Sequence, residues 1–200
     1  MLAGLALDIG LEQIRTHLCK NFVLPPRRLS YFAGIKKTVI IDSSYNASTT
    51  STLGALKLLA QLKNKKGKSA KKRNIVFVFG DMRELGSQAK KEHQQVAKKL
   101  LTVVNKLVLI GPLTKKYVLA LTTDKIPTQW FANSWQAAGW LKKNLKGEEI
   151  ILVKGSQNTI FTEIVVENLL FNKKDRAELC RRGKFWDRQK QLLKEKIKTR

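Results

Sequence analysis

Polar residues directly follow three apolar runs in this sequence, and their types could bind a charged ligand. Asp42 ends the first run, TVIID, and is followed by Tyr45 and Asn46. Together these three side chains could contact a ribose or a base, by hydrogen bonding and by stacking. Taken singly, each of them is an ordinary loop residue.

The second apolar run, NIVFVFG, is followed by an acidic loop that contains Asp81 and Glu84, and the next predicted helix contains His93. Carboxylates in this place could bind a metal ion, a sugar hydroxyl or an amine. The alternative is structural. In that interpretation Asp81 caps the loop or the following helix, Glu84 is solvated, and His93 is a helix residue that binds no ligand.

The third run ends in Lys154, Gly155 and Ser156. A cation, a flexible backbone and a hydroxyl suit a carboxylate or a phosphate, although Lys154 could also be an ordinary exposed lysine. The stretch is not a P-loop, which requires another glycine five residues before its Gly-Lys pair. Gly67 and Lys68 fail the same test, because position 62 is Leu.

Five predicted strands alternate with helices, which indicates an α/β fold with a parallel, doubly wound sheet. Right-handed crossovers bring the carboxyl ends of such strands to one edge, where ligands bind, so the three polar stretches should meet there. Ser87 and Ser134 are the expected N-caps of two helices. The predicted strands are residues 38–42, 74–80, 106–111, 128–132 and 148–156, and predicted helices include residues 87–104, 113–121 and 159–170.

Both ends of the chain carry further helical signals. Residues 1–18 have apolar side chains at helical spacing with a break near Gly10, and Pro25 and Pro26 then predict a boundary. A charged helical tail follows from Lys173. Its apolar stripe favours packing on the domain and consists of Leu179, Trp186, Leu192, Leu193 and Ile197.

The chain of 200 residues is strongly basic, with 39 Lys and Arg against 15 Asp and Glu, a formal charge of +24. Such a charge attracts polyanions, although lysines spread along the chain can also be solvated surface residues. A nucleic-acid-binding module is therefore an alternative, supported by the basic loop at residues 64–73 and by Phe185 and Trp186 in the basic tail. The two cysteines lack metal-ligand spacing and fit a reducing, cytosolic setting, and no run is long enough to span a membrane.

Three segments occur in a family-specific order: IIDSSYNASTTSTLGALKLLAQL, RNIVFVFGDMRELGSQAKKEHQQVA and ILVKGSQ. They resemble the C-terminal domain of the Mur ligases, specifically the type that joins D-alanyl-D-alanine to UDP-N-acetylmuramoyl-tripeptide. The resemblance covers residues 24–170. Its most specific motif is the Gly-Asp-Met-x-Glu-Leu-Gly loop with a downstream His, while residues 1–22 are similar to the last helices of the family's central domain.

The resemblance implies a Rossmann-like, mostly parallel sheet flanked by helices, within a cytoplasmic and generally monomeric ligase of peptidoglycan synthesis. In that family ATP phosphorylates the peptide's terminal carboxylate, and the amine of D-alanyl-D-alanine then attacks the acyl phosphate. ATP and Mg²⁺ are held mainly by the central domain. The C-terminal domain closes over the cleft, which excludes water from the hydrolysable intermediate.

The resemblance also assigns roles to residues of this chain. It implies nucleotide contacts for Arg28, Asp42, Tyr45 and Asn46, with Arg28 as the hinge arginine that reaches phosphate. It implies substrate contacts for six residues at the other two loops: Asp81, Glu84, His93, Lys154, Gly155 and Ser156. The chain departs from the family pattern at Arg27, Ser43, Ser48, Thr49 and Gln157.

These observations predict three segments. Residues 1–24 would be a remnant of the central domain and the hinge, residues 25–172 the C-terminal domain, and residues 173–200 the basic helical tail. The sequence contains no phosphate loop, so we expect the chain alone not to ligate anything. It would act as part of a longer ligase or with a central domain supplied in trans.

Overall fold

The computed structural model describes residues 7–21, 28–64, 73–156 and 160–198. Its strands are β1 (Ser30–Ala33), β2 (Val39–Ser43), β3 (Ile75–Gly80), β4 (Lys106–Ile110), β5 (Thr128–Phe131) and β6 (Ile150–Lys154). Its helices are α1 (Leu11–Asn21), α2 (Thr49–Asn64), α3 (Ala89–Leu100), α4 (Pro112–Thr114, a π-helical turn at Lys115–Leu119, and Ala120–Thr122), α5 (Ser134–Asn144), α6 (Glu163–Leu169) and α7 (Lys184–Lys198). Short 3-10 turns lie at Ile35–Lys37, Gly86–Gln88 and Lys173–Glu178.

The six strands form one sheet in the order β1-β2-β6-β3-β4-β5. All neighbouring pairs are parallel except β1 with β2, which is antiparallel. The predicted mostly parallel α/β sheet is therefore confirmed. The sequence analysis missed β1, because its four residues alternate between half-buried and exposed positions and form no continuous apolar run.

Helices cover both faces of the sheet, which explains the apolar runs. Ile75, Phe77 and Phe79 point to one face of β3 and pack with residues of α2, α3 and α4. Val76 and Val78 point to the opposite face and pack with residues of α5 and α6. Because both faces are buried, every residue of the strand is apolar except its terminal glycine.

The position of β6 brings the three polar stretches together. β6 lies between β2 and β3, and Lys154 is paired in register with Ser43 on one side and with Phe79 on the other. Since all three strands are parallel, the loops after Ser43, Gly80 and Lys154 leave the sheet at the same edge. The predicted meeting of these loops is confirmed.

Both predicted N-caps were wrong. The 3-10 turn at Gly86–Gln88 precedes α3, so Ser87 lies before the helix start, and no side chain caps this end. At α5 the cap is Asn133, whose extended backbone lets its side-chain oxygen accept from Gln136 N at 3.0 Å. The neighbouring Ser134 is buried and instead donates to the carbonyl of Ile160 at 2.6 Å.

Two predicted elements near the carboxyl end are shorter in the structure. The fifth predicted strand, residues 148–156, spans only Ile150–Lys154. The helix predicted at residues 159–170 begins at Glu163 within the part of the chain that is described there. Phe161, just before it, has a left-handed backbone with φ of 47°, which a regular helix does not allow.

The tail packs on the domain, as its apolar stripe predicted, but only through part of that stripe. Leu179 is fully buried, and the ring of Trp186 lies 6.3 Å from that of Phe161 in an edge-on arrangement. Leu193 and Ile197 are half-buried, whereas Leu192 is 42% exposed. The contact is therefore made mainly by the first two turns of α7 and the segment before it.

Some predicted features lie outside the described residues: the start of the first helical segment, the boundary at residues 25–26 and most of the basic loop at residues 64–73. The helix α1 begins directly after Gly10, where a break was predicted. Across the described ranges, no helix combines the length and apolar character that crossing a membrane requires.

Candidate functional site

A cleft of about 550 Å³ lies at the carboxyl ends of β2 and β6. One wall is the loop after β2, residues 44–48, which contains Tyr45 and Asn46 and is called the nucleotide loop below; the start of α2 forms another wall. Its lining is polar at the base and carries two cationic side chains. The lining residues are Arg28, Leu29, Ser43, Tyr45, Asn46, Ser48, Ser51, Gly54, Ala55 and Lys154.

Lys154 lies at the base of this cleft with only 2% of its surface exposed, so it is not the ordinary exposed lysine that the sequence also allowed. Its Nζ donates to Ser43 Oγ at 3.1 Å and to the carbonyl of Asn46 at 2.9 Å. Burial lowers the pKa of Lys154 to about 8; the charge of Arg28 acts in the same direction and that of Asp42 opposes it. The ammonium group is therefore held in place by neutral oxygens.

Arg28 and Tyr45 form the outer part of the cleft. Both are exposed, and the Arg28 guanidinium carbon lies 5.4 Å from the centre of the Tyr45 ring. A cation over an aromatic ring is a modest attraction at an exposed site. The Tyr45 ring is partly exposed, and Arg28 adds a second positive charge near Lys154. This combination suits an anionic ligand with a planar group.

Ser156 joins two of the three loops. Its Oγ accepts from the backbone N–H of Arg83 at 2.9 Å and lies 3.3 Å from the carbonyl of Ala47 and 3.4 Å from Oδ1 of Asn46. Its own N–H donates to the carbonyl of Asp81 at 2.9 Å. The residue therefore fixes the spacing between the nucleotide loop and the acidic loop.

Asp42 is fully buried beneath the cleft. Its Oδ1 accepts from the backbone N–H of Ser44 at 2.9 Å, and its Oδ2 has no hydrogen-bond partner within the described residues. Burial raises the pKa of Asp42 to about 6, against the hydrogen bonds of Ser44, and the nearby Glu163 raises it further while Arg181 lowers it. The carboxyl group shapes the start of the loop from below.

Asp81 holds a helix other than the one that follows it. Its Oδ1 accepts from the backbone N–H of Thr114 at 2.8 Å, in the first turn of α4. A carboxylate at a helix N-terminus is favoured by the unpaired N–H groups and the helix dipole. Burial raises the pKa of Asp81, and the N–H groups of Thr114 and Leu113 oppose this.

His93 is buried, and both of its ring nitrogens have protein partners. Its Nε2 accepts from the backbone N–H of Met82 at 3.1 Å, and its Nδ1 lies 2.7 Å from the carbonyl of Ala89. This pattern requires a proton on Nδ1 and none on Nε2, which is the neutral form. Burial lowers the pKa of His93, so the neutral form is the stable one at physiological pH.

Glu84 and Gly155 differ in what surrounds them. Glu84 is exposed and adopts a left-handed backbone with φ of 64°. Gly155 lies against Gly80 and Thr162, where a Cβ on it would come within 2.6 Å of Thr162 Cγ2. The glycine is therefore required by the close approach of two chain segments.

The structure thus brings Arg28, Tyr45, Asn46 and Lys154 into one cleft and places Ser156 between its loops. Asp42, Asp81 and His93 are buried beneath these loops, and Glu84 is exposed. Sequence reasoning assigned no role to Arg181, which contacts the same loop. Within the described ranges, no group of three or more His, Cys, Asp or Glu side chains could hold a metal ion.

The fold and this cleft together define an α/β domain that presents cations and an aromatic ring at the edge of a parallel sheet. The family model for the Mur ligase, glutamate ligase domain, matches residues 27–157. The chain belongs to this family.

Two similar proteins bear the name of a ligase. The chain is 30% identical over 175 residues to the UDP-N-acetylmuramoyl-tripeptide–D-alanyl-D-alanine ligase of Buchnera aphidicola subsp. Acyrthosiphon pisum, covering 86% of this chain and 35% of that protein. It is 27% identical over 168 residues to the ligase of the same name from Escherichia coli K12, covering 82% of this chain and 34% of that protein. The chain therefore spans about a third of the length of these relatives.

Solved structures agree with this placement. A crystal structure of MurF from Acinetobacter baumannii has a TM-score of 0.64 and 26% identity, and the match covers 83% of this chain and 34% of that one. The MurF ligase from Thermotoga maritima, solved in complex with ADP, has a TM-score of 0.65. At 17% identity over 88% of this chain and 37% of that one, the second match shows the shared fold.

Proposed function

We propose that this chain provides the C-terminal domain function of an ATP-dependent ligase that joins D-alanyl-D-alanine to UDP-N-acetylmuramoyl-tripeptide. The curated relatives that it matches bear the name of this activity. The cytoplasm is the proposed location, in agreement with the two cysteines, which lie far apart in sequence and fit a reducing setting. The segment division at residues 24–25 and 172–173 and the monomeric state remain predictions.

The observation that carries the proposal is the cleft with Lys154 at its base. The ammonium of Lys154 and the guanidinium of Arg28 supply positive charge for the phosphates of ATP, and the exposed ring of Tyr45 supplies a stacking surface. Asn46 lines the same cleft. In this proposal Arg28, Tyr45 and Asn46 contact the nucleotide, as the resemblance implied. Lys154, for which the resemblance implied a substrate contact, is proposed to contact the nucleotide as well, because it lines the same cleft. Asp42, for which a nucleotide contact was implied, is proposed instead to support their loop from below.

The acidic loop is proposed to serve the amino substrate. Glu84 is its exposed carboxylate and would face the cationic amine of D-alanyl-D-alanine. Asp81, His93, Gly155 and Ser156 would hold the loop in place through the hydrogen bonds and close packing described above. The Mg²⁺ ligands and the phosphate loop are assigned to a Mur ligase central domain, in cis or in trans.

The chemistry requires both parts of such an enzyme. A carboxylate oxygen of the peptide attacks the γ-phosphorus of ATP and ADP leaves. The amine of D-alanyl-D-alanine then attacks the carbonyl carbon of the acyl phosphate and inorganic phosphate leaves. A closed cleft protects the acyl phosphate from water, so positioning of this domain affects the yield of ligation as well as its rate.

A domain-replacement experiment tests the proposal. The C-terminal domain of Acinetobacter baumannii MurF is replaced by residues 25–200 of this chain, and ADP release is measured. We expect release that depends on both UDP-N-acetylmuramoyl-tripeptide and D-alanyl-D-alanine. The substitution Lys154→Met should lower kcat/KM by roughly tenfold, because one desolvated charge on a phosphate contributes about 1–2 kcal/mol.

The matched control is Lys98→Met, which removes an exposed lysine of α3 that does not line the cleft. It should leave kcat/KM within about twofold, because an isolated surface charge contributes little. A parallel chimera with the C-terminal domain of Thermotoga maritima MurF shows whether the exchange itself is tolerated. A folded chimera with no substrate-dependent ADP release, beside an active parallel chimera, would refute the proposed function.

A further inference from the structure

The segment between α6 and α7 reaches back to the loop that forms the wall of the cleft. Two residues of this segment, Cys180 and Arg181, are buried, although they lie more than 130 residues after the loop in sequence. The thiol of Cys180 lies 3.4 Å from Ser44 Oγ. If the basic tail were only a solvated surface segment, these side chains would not lie inside the domain.

Arg181 connects this segment to the loop through backbone atoms. Its Nη2 donates to the carbonyl of Ser44 at 2.7 Å and its Nη1 donates to the carbonyl of Tyr45 at 3.0 Å. Two successive carbonyls bound by one rigid guanidinium fix the direction of the chain at this point. The side chain of Tyr45 is thereby turned outward to the cleft, where 42% of the residue is exposed.

The guanidinium is itself held by a buried ion pair. Arg181 Nε and Nη2 donate to the two carboxylate oxygens of Glu163 at 2.9 and 2.6 Å, and the two side chains are only 4% and 1% exposed. Lys190 of α7 donates to the carbonyl of Arg181 at 2.8 Å and lies 3.1 Å from Glu163. Glu163 of α6 therefore holds the guanidinium of Arg181, and Lys190 of α7 holds both its backbone carbonyl and Glu163.

This arrangement is costly, which favours a positional role over simple stabilisation. Removing an ion pair from water is unfavourable, and its mutual attraction often only offsets this loss, so well-packed apolar residues often stabilise a fold as well. Arg181 also has a left-handed backbone with φ of 53°, which is unfavourable for a residue other than glycine. An apolar residue here would leave the two loop carbonyls without donors.

We propose that Arg181 is a positioning residue that fixes residues 44–46 as one wall of the cleft, so that the C-terminal tail controls the shape of the ligand site. The identity of the ligand as ATP rests on the proposed function; the fixing of the loop does not. Arg181 acts through the backbone of Ser44 and Tyr45 and is not assigned a contact with the ligand.

Hydrogen exchange on the full chain tests the positioning without any ligand. In Arg181→Met we expect the amides of residues 44–47 to exchange at least tenfold faster, while the amides of β3 and β4 keep their rates. Arg181→Lys keeps a positive charge opposite Glu163 but lacks the planar guanidinium that binds two carbonyls at once, so it should not restore slow exchange. The control Arg182→Met removes the neighbouring arginine, whose partners are Glu167 and Asp187, and should leave residues 44–47 unchanged.

Titration with ATP, followed by NMR on the same proteins, adds the functional readout. Arg181→Met and Arg181→Lys should weaken ATP binding by roughly tenfold and Arg182→Met by less than twofold. If the wild-type chain binds no ATP without a central domain, the same comparison is made on the KM for ATP of the chimera, with the same fold-changes expected. A folded chimera without substrate-dependent ADP release would count against the proposed function, and hydrogen exchange alone would then decide the positioning. Unchanged exchange at residues 44–47 in folded Arg181→Met would overturn the positioning role. Global unfolding of both Arg181 variants would overturn it too, because Arg181 would then stabilise the whole domain.

Discussion

At the scale of single residues, the charge of Lys154 should respond to pH in an accessible range. Its pKa is lowered to about 8, so the ammonium loses its proton as the pH rises through that value, well below the ordinary lysine value of 10.5. The charged groups that face it are Arg28, which favours this loss, and Asp42, which opposes it. Attraction for a phosphate should therefore decline above pH 8.

We expect the affinity of the chain for ATP to fall by roughly fivefold between pH 7 and pH 9, which corresponds to about 1 kcal/mol of lost attraction. NMR titration at several pH values measures this. Lys154→Met removes the titrating group and should bind weakly with little dependence on pH. An equal decline with pH in Lys154→Met would assign the effect to another group and contradict this role of Lys154.

Residue types alone did not separate the ligand-facing side chains from the supporting ones. Asp42, Asp81 and Glu84 are all acidic residues at or just after the ends of strands, yet two are buried and one is exposed. His93 occurs in the predicted helix, but its partners, Met82 N and Ala89 O, are backbone atoms, and such bonds leave no mark on composition. The ligand contacts that the resemblance implied for these four residues remain predictions.

At the scale of elements, the site depends on close packing between the ends of β3 and β6. Gly80 and Gly155 approach so closely that a Cβ on Gly155 would lie 3.3 Å from Gly80 Cα and 3.0 Å from Thr162 Oγ1. Thr162 is fully buried and cannot move aside without disturbing the start of α6. The two strand ends are therefore matched to each other by their small residues.

We expect Gly155→Ala to lower the free energy of unfolding by about 1–3 kcal/mol, because an added methyl group overpacks this contact. Urea unfolding of the full chain measures the change. The matched control is Gly139→Ala in the middle of α5, where a Cβ meets nothing within 4 Å. That substitution should stabilise the chain by about 0.5–1 kcal/mol. Equal stability of Gly155→Ala and wild type would contradict the packing described here.

At the scale of the whole molecule, the formal charge of +24 does not distinguish the two functions that the sequence left open. UDP-linked peptide, ATP and nucleic acid are all anionic, so the same field attracts each of them. The family membership and the cleft favour the ligase, whereas the basic charge alone favours neither. Binding to nucleic acid should then be electrostatic and unselective.

We expect single-stranded DNA to bind with an affinity that falls steeply between 50 and 200 mM salt and differs little between sequences, because counterion release drives such binding. Fluorescence anisotropy with two labelled oligonucleotides measures both properties. Lys154→Met should change DNA binding by less than twofold, since it removes one of 39 Lys and Arg residues. Strong preference for one sequence that persists at 200 mM salt would instead support a nucleic-acid-binding module.

The sequence by itself determined the sheet and the loops that carry the candidate site. Buried parallel strands must be apolar on both faces, so β3 appears as the run IVFVFG, and polar loops must follow such runs at one edge. The edge strand β1 was missed because a four-residue strand with one solvated face leaves only a weak alternation. The caps of α3 and α5 were missed because capping depends on backbone angles at single residues.

Only the tertiary structure decided which of these residues face the cleft and what holds them. Lys154 is buried because β6 lies between β2 and β3, an order that local periodicity does not encode. Asp81 binds Thr114, 33 residues later, and Arg181 binds the carbonyl of Ser44, 137 residues earlier. Contacts at such separations arise when elements pack, since neighbouring residues in sequence fix a strand or a helix but not the partners that its ends will meet.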